Sequence, residues 1–222
     1  MRHLARLLCI ILALGAAQAA MAQEKLVAIV FDTSGSMGTR IELPSFGVQL
    51  LTATLDGRSG KDRLYSINFT DHMDDCVQND RLFFPTATTI SQMPCDTSRH
   101  ITRFLMTDER SHAIAIRTLR DQYTAGAGAT PFAPLEIMLD RLAQDVAPGE
   151  EIVLIVVVDG DYSDSVLSNG AMRSTMQQSF EVYRDRILAN GGRISAKFMF
   201  IDDTGSREAI VSEQAVRDTL LS

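Results

Sequence analysis

The sequence of 222 residues lacks any apolar run long enough to cross a membrane, and it contains only three cysteines. A membrane-spanning helix needs about 20 consecutive apolar residues, so we predict no membrane span. Basic residues are also few: 21 Lys and Arg stand against 28 Asp and Glu, for a net charge of −7, and no basic stripe is present. An acidic chain of this kind is a poor match for nucleic acid or an anionic membrane surface, so we predict neither as a partner.

Residues 1–22 have the pattern of a secretory signal peptide. A basic start precedes a short apolar core at residues 7–14, and small residues follow at Ala20 and Ala22. We therefore expect an exported protein, located in a bacterial periplasm or, as the alternative, secreted. The remaining residues, 23–222, are enough for a single domain with a substantial core.

Two cysteines, Cys76 and Cys95, follow the predicted signal peptide. An even number of cysteines in an exported chain favours a disulfide, with two buried free thiols as the alternative. Two thiols alone cannot form a structural zinc site of the four-ligand kind. Both lie in an irregular insertion at about residues 71–99, where a disulfide would restrain a long loop. His100 and His112 are predicted to lie on helices, as surface or satisfied core residues.

Apolar runs and helical periodicity alternate along the chain, which predicts an α/β fold. The fold class that we expect is a Rossmann-like, doubly wound and mostly parallel sheet flanked by helices. Ligands bind such sheets beyond the carboxyl ends of the strands, where the strand order reverses. The predicted strands are Lys25–Phe31, Arg63–Phe69, Glu151–Val158 and Arg193–Ile201, with a short edge strand at Leu82–Phe84. The predicted helices are Leu43–Leu55, one after Pro131, Met172–Ala189 and Ser206–Leu221.

Three loops at this predicted edge carry small hydroxyls and carboxylates. The first follows a strand with Asp32, Ser34 and Ser36, the second places Thr130 after a glycine-rich stretch, and the third begins with Asp159. Residues two apart in an extended loop point the same way, so the first three side chains can converge. Oxygen donors of this kind suit Mg²⁺, Ca²⁺ or Mn²⁺ better than zinc or copper.

Neutral hydroxyls are weak ligands, so a cation held by this set would seek a further anion. Mg²⁺, the ion that we expect, prefers six oxygen ligands and commonly keeps some waters. A carboxylate of another protein can replace one of those waters. The residues therefore predict a cation site that keeps a coordination position open to a further anion.

The Asp32-Thr33-Ser34-Gly35-Ser36 segment resembles the Asp-x-Ser-x-Ser signature of von Willebrand factor type A (VWA) domains. The segments around Thr130 and Asp159 resemble the threonine loop and the second aspartate loop of that family. The resemblance implies a metal-ion-dependent adhesion site in which Ser34, Ser36 and Thr130 ligate the metal through their hydroxyls. Asp32 and Asp159 would act directly or through water, and the partner would be a protein with an exposed Asp or Glu.

The sequence departs from this family at its C-terminal end. VWA domains usually continue beyond the strand at residues 193–201 with a helix, a further strand and a last helix, so the domain is expected to be shortened. In some relatives a movement of the last helix changes affinity, and we do not expect that mechanism here.

The alternative function is a Mg²⁺-dependent hydrolase of the phosphatase type that uses Asp32 as its nucleophile. Such enzymes need a second aspartate two residues later as general acid and base, and that position is Ser34. No Ser-His-acid arrangement and no phosphate-binding loop of the Gly-Lys-Ser kind is evident. We therefore expect a binding module and not an enzyme.

Overall fold

The computed structural model describes residues 24–41, 48, 62–69, 76, 86–93, 95–124, 126, 132–159 and 169–200. These residues form an α/β structure with one five-stranded sheet and three longer helices. The predicted signal peptide (1–22), the predicted edge strand at 82–84 and the predicted last helix at 206–221 lie outside the described residues. None of the described helices is both long enough and apolar enough to span a membrane.

The sheet has the order β3-β2-β1-β4-β5 and is mostly parallel. β1 pairs in parallel with β2 and with β4, and β4 pairs in parallel with β5, whereas β3 is antiparallel to β2. This arrangement confirms the predicted α/β class with a mostly parallel sheet. The strands are β1 Lys25–Phe31, β2 Asp62–Asn68, β3 Thr102–Met106, β4 Glu151–Val158 and β5 Arg193–Phe200.

β1 and β4 lie at the centre because they can be covered on both faces. Six of the seven residues of β1 are buried, and the last five of β4 are buried as well. Continuous β-branched and apolar runs are what a central parallel strand requires, since neither of its faces contacts water. The register pairs Phe31 with Val157, so the two strands end side by side.

The three longer helices are α1 Glu109–Gln122, α2 Ala133–Asp145 and α3 Asn169–Ala189. Asp108 caps α1 by accepting a hydrogen bond from the backbone N–H of Ser111 at 2.8 Å. α3 ends, as predicted, where Gly191 adopts a positive φ of 81°. Of the helix predicted over 43–55, only Val48 is described; it is helical and buried.

Helices pack on both faces of the sheet. Leu26, Ala28 and Val30 of β1 face a cluster that includes side chains of α2 and α3. The alternate residues of β1 face the opposite cluster, which contains Met37, Val48 and side chains of α1. The ring of Phe31 stacks on that of Tyr123 just after α1, with centroids 3.9 Å apart.

The strand order reverses at β1, since β2 lies on one side of β1 and β4 on the other. Crevices at such a reversal, outside the carboxyl ends of the strands, are where open α/β sheets bind ligands. The loops after β1 and β4 therefore meet at the expected binding position.

The part of the chain near the cysteines is irregular where it is described. Residues 86–93 and 95–99 contain turns and two short 3₁₀ helices, Ile90–Gln92 and Thr97–Arg99. The cysteines form the predicted disulfide, with a Cα–Cα distance of 5.1 Å, so the alternative of two free thiols is wrong. His112 lies on α1 as predicted, but His100 does not lie on a helix: it follows a single 3₁₀ turn and directly precedes the segment that enters β3.

Candidate metal centre

Asp32 is the first residue beyond β1 and is fully buried. Its backbone N–H donates to the carbonyl of Val157 at 2.8 Å, which extends the pairing of β1 with β4 by one residue. Its Oδ1 accepts a hydrogen bond from the backbone N–H of Ser34 at 2.8 Å. An aspartate that bonds the backbone two residues later folds the chain into a tight turn. The position of Ser34 therefore depends on the carboxylate of Asp32.

The loop beyond this turn is held in the core by Met37. The backbone N–H of Met37 donates to the carbonyl of Ser34 at 3.1 Å, and its side chain is fully buried. A 3₁₀ segment runs over Gly35–Ile41 and is interrupted at Gly38, where φ is 42°. With Ser34 and Met37 buried, Ser36 is the serine of this loop that reaches solvent.

The side-chain oxygens of two strand ends meet at Ser36. Its Oγ lies 2.9 Å from the Oγ of Ser34 and donates to Oδ1 of Asp159 at 3.1 Å. Asp159, the first residue after β4, is half-buried. Four of the five predicted ligands therefore form one connected group of oxygens: Asp32, Ser34, Ser36 and Asp159.

The glycine-rich segment that leads to Thr130 begins beside this group. The backbone N–H of Gly126 donates to the carbonyl of Thr33 at 2.8 Å, which ties the two loops together. Phe132 lies fully buried at the start of α2 and anchors the other end of that segment. Thr130 itself lies outside the described residues, so its position relative to the four oxygens stays a prediction.

The surroundings of Asp32 disfavour a negative charge on its carboxyl group. Burial raises the pKa of Asp32 above its ordinary value, and the nearby charge of Asp159 raises it further, while hydrogen bonds from Ser34 limit the rise. A divalent cation beside the two carboxylates would offset both effects. The donor set consists of carboxylate and hydroxyl oxygens, which fits Mg²⁺, Mn²⁺ or Ca²⁺ and not a thiophilic metal.

Two residues support this arrangement although the sequence did not single them out. Gly126 holds the first loop through Thr33, and Met37 fixes the loop to the core. In the sequence, Gly126 is marked by the glycine-rich stretch that it begins. Met37 has no such mark, since one methionine after a glycine-serine segment does not reveal whether it turns inward.

Comparisons with known proteins find similarity among solved structures. No protein-family model matches the chain, and no curated protein matches it. Among solved structures, the pilus adhesin RrgA from Streptococcus pneumoniae is similar at 15% sequence identity and a TM-score of 0.39. The match covers 72% of this chain and 24% of the adhesin chain. The VWA resemblance of the sequence thus stays a prediction.

Proposed function

We propose that this chain is an exported, VWA-type binding module that holds a divalent cation, most favourably Mg²⁺, and binds an acidic side chain of a partner protein. The observation that carries the proposal is the Ser36 hydroxyl, which contacts both Ser34 and Asp159 and so joins the ends of β1 and β4. Helices on both faces of a mostly parallel sheet agree with a doubly wound, Rossmann-like domain. The disulfide agrees with an oxidising compartment outside the cytoplasm.

In this proposal the chain supplies five ligands. The hydroxyls of Ser34, Ser36 and Thr130 bind directly, and the carboxylates of Asp32 and Asp159 bind directly or through water. The bound cation would accept an electron pair from one external carboxylate oxygen, since three of its ligands are neutral hydroxyls, which bind it weakly. The hydrogen bonds of Asp32 hold the first loop in place before any ligand arrives, which lowers the cost of ordering the site.

Binding of Mn²⁺ by purified variants tests the cation site. We expect the wild-type protein to bind Mn²⁺. The loss of the electron paramagnetic resonance signal of free Mn²⁺ measures this binding. Ser36→Ala should weaken binding by about tenfold or more, because it removes a ligand and the contact between the two strand ends. Ser91→Ala is the matched control, because Ser91 is an exposed serine on a 3₁₀ turn away from the site. Equal binding by both variants, or none by the wild type, would contradict the site.

The acidic-partner part of the proposal needs its own measurement. A glutamate-containing peptide should displace water from protein-bound Mn²⁺ and lower the water-proton relaxation rate, whereas the same peptide with glutamine should not. If neither peptide changes the relaxation rate, the cation has another role. Turnover of a phosphate ester that is lost in Asp32→Asn would favour the hydrolase instead.

A further inference from the structure

The disulfide lies against a histidine, away from the candidate metal centre. The Sγ of Cys76 is 3.9 Å from Nδ1 and 3.8 Å from Nε2 of His100. The ligand atoms of Cys76, Cys95 and His100 all lie within 4.8 Å of one another. These distances place an imidazole within reach of one sulfur of the disulfide.

The two sulfur-bearing residues differ in their access to solvent. Cys76 is only 2% exposed, and His100 beside it is buried. Cys95 is half-buried and lines a cavity of about 720 Å³ between the turns at 86–97 and the helices α2 and α3. A molecule that enters this cavity reaches the disulfide from the Cys95 side.

We propose that the disulfide is a site of thiol–disulfide exchange, at which an incoming thiolate attacks Cys95 from the cavity and Cys76 leaves beside His100. The substrate class is a dithiol reductant, either a small molecule or a protein. This inference does not rest on the proposed cation site, because it uses other residues on another part of the fold.

The exchange moves two electrons in two steps. The thiolate forms a bond to Sγ of Cys95, the Cys76–Cys95 bond breaks, and its electron pair passes to Sγ of Cys76. The imidazole of His100 lies beside this sulfur, which is nearly equidistant from the two ring nitrogens, and a rotation of the ring would direct an N–H at the sulfur as its negative charge develops. Such a donor would make Cys76 the better leaving group. The second thiol of the reductant then attacks the mixed disulfide, releases Cys95 as a thiol and leaves the reductant oxidised.

The direction of attack can be read from the site of the mixed disulfide. The native protein is treated with glutathione, quenched with acid, and labelled with N-ethylmaleimide at its new thiol. Trypsin cleaves after Arg81, so the two cysteines fall in different peptides that mass spectrometry can assign. We expect glutathione on Cys95 and maleimide on Cys76. The reverse or an equal distribution, or a reaction only at the rate of global unfolding, would overturn the proposal.

The role of His100 is tested by the rate of reduction with dithiothreitol. His100→Leu should slow reduction on the order of tenfold, because leucine has no N–H to donate to the leaving sulfur. A merely structural role would act in the opposite direction, since loosened packing would expose the disulfide and speed its reduction. His112→Leu is the control, because His112 lies on α1 at the opposite face of the sheet. An unchanged or faster rate in His100→Leu would refute the assigned role.

Discussion

The side chain of Glu136 lies in the first turn of α2 and is fully buried. Neither of its carboxyl oxygens has a hydrogen-bond partner within the described part of the chain. Burial raises the pKa of Glu136 to about 7, and the charge of Asp140 adds to the rise. The hydroxyls of Ser179 and Tyr183 on α3 limit this rise, although they lie outside hydrogen-bonding geometry. The folded protein therefore favours the protonated acid.

This shift makes stability depend on pH. The folded-state pKa of Glu136 is about 7, compared with an ordinary value of 4.5. The contribution of the protonated acid is complete below about pH 4.5 and is lost as the pH rises through about 7. From pH 4.5 to pH 8 the loss approaches about 3 kcal/mol, on the scale of 1.4 kcal/mol per pKa unit.

We expect Glu136→Gln to remove this pH dependence, because the amide stays neutral throughout. Urea unfolding at pH 5 and pH 8 should give a smaller difference in the free energy of unfolding for the variant than for the wild type. The comparison uses only the change in the free energy of unfolding between pH 5 and pH 8. A buried glutamine amide has N–H groups without partners, which lower stability equally at both pH values. Glu181→Gln on α3 is the control and should keep the wild-type dependence. Identical pH dependence in Glu136→Gln and the wild type would show that Glu136 titrates normally.

At the scale of elements, the connection from α3 to β5 depends on two adjacent glycines with different constraints. Gly191 has a φ of 81°, which side chains other than hydrogen rarely allow. Gly192 has no such conformation, but a Cβ added there would lie 2.3 Å from Cγ2 of Val146. One glycine is therefore required by the backbone, and the other by the packing of the end of α2.

We expect both alanine substitutions to destabilise the protein, and Gly192→Ala to do so more. Gly191→Ala should lower the free energy of unfolding by about 1 kcal/mol through strain at positive φ. Gly192→Ala should cost more, in the range of about 1–3 kcal/mol for overpacking, because Val146 must move. In a Val146→Ala background the cost of Gly192→Ala should fall and that of Gly191→Ala should not. Denaturant unfolding of the three single and two double variants measures this, and an unchanged cost of Gly192→Ala would exclude the clash.

The strands and the first loop of the site show how much of the elements the sequence could predict. β1 and β4 were predicted to the residue because their continuous apolar runs are bounded by charged residues such as Asp32 and Asp159. β3 was not predicted, since it is a short edge strand whose Leu105 is 53% exposed, and hydrophobic periodicity then carries little information. The spacing of Asp32, Ser34 and Ser36 predicted one loop of the site. That Ser36 contacts Asp159 depends on the adjacency of β1 and β4, which no local pattern specifies.

The disulfide was predicted because only two cysteines follow the predicted signal peptide. Its histidine neighbour was not, because His100 is 24 residues from Cys76 and the two come close only in the folded chain. Contacts of this kind depend on tertiary packing and not on local propensity.

In the whole molecule, the candidate metal centre and the disulfide segment, which comprises the described residues 86–93 and 95–99, pack on opposite faces of the sheet. Met37 beside the metal centre belongs to the cluster that faces α1. Ile90 and Met93 of the disulfide segment pack against the other cluster, with α2 and α3. Sites that share no partners usually contribute additively to stability. The molecule is therefore expected to have two independent sources of stability.

A thermodynamic cycle tests this independence. Mn²⁺ at about 100 times its dissociation constant should raise the free energy of unfolding by about 2.7 kcal/mol. Replacing both Cys76 and Cys95 with alanine should lower it by about 3 kcal/mol, as expected for a disulfide that closes a loop of this size. The increment from Mn²⁺, measured by urea unfolding against EDTA, should agree within about 0.5 kcal/mol between the wild type and the double variant. An increment that changes by more than about 1 kcal/mol on loss of the disulfide would show that the two faces are coupled, and no increment in the wild type would contradict the cation site itself.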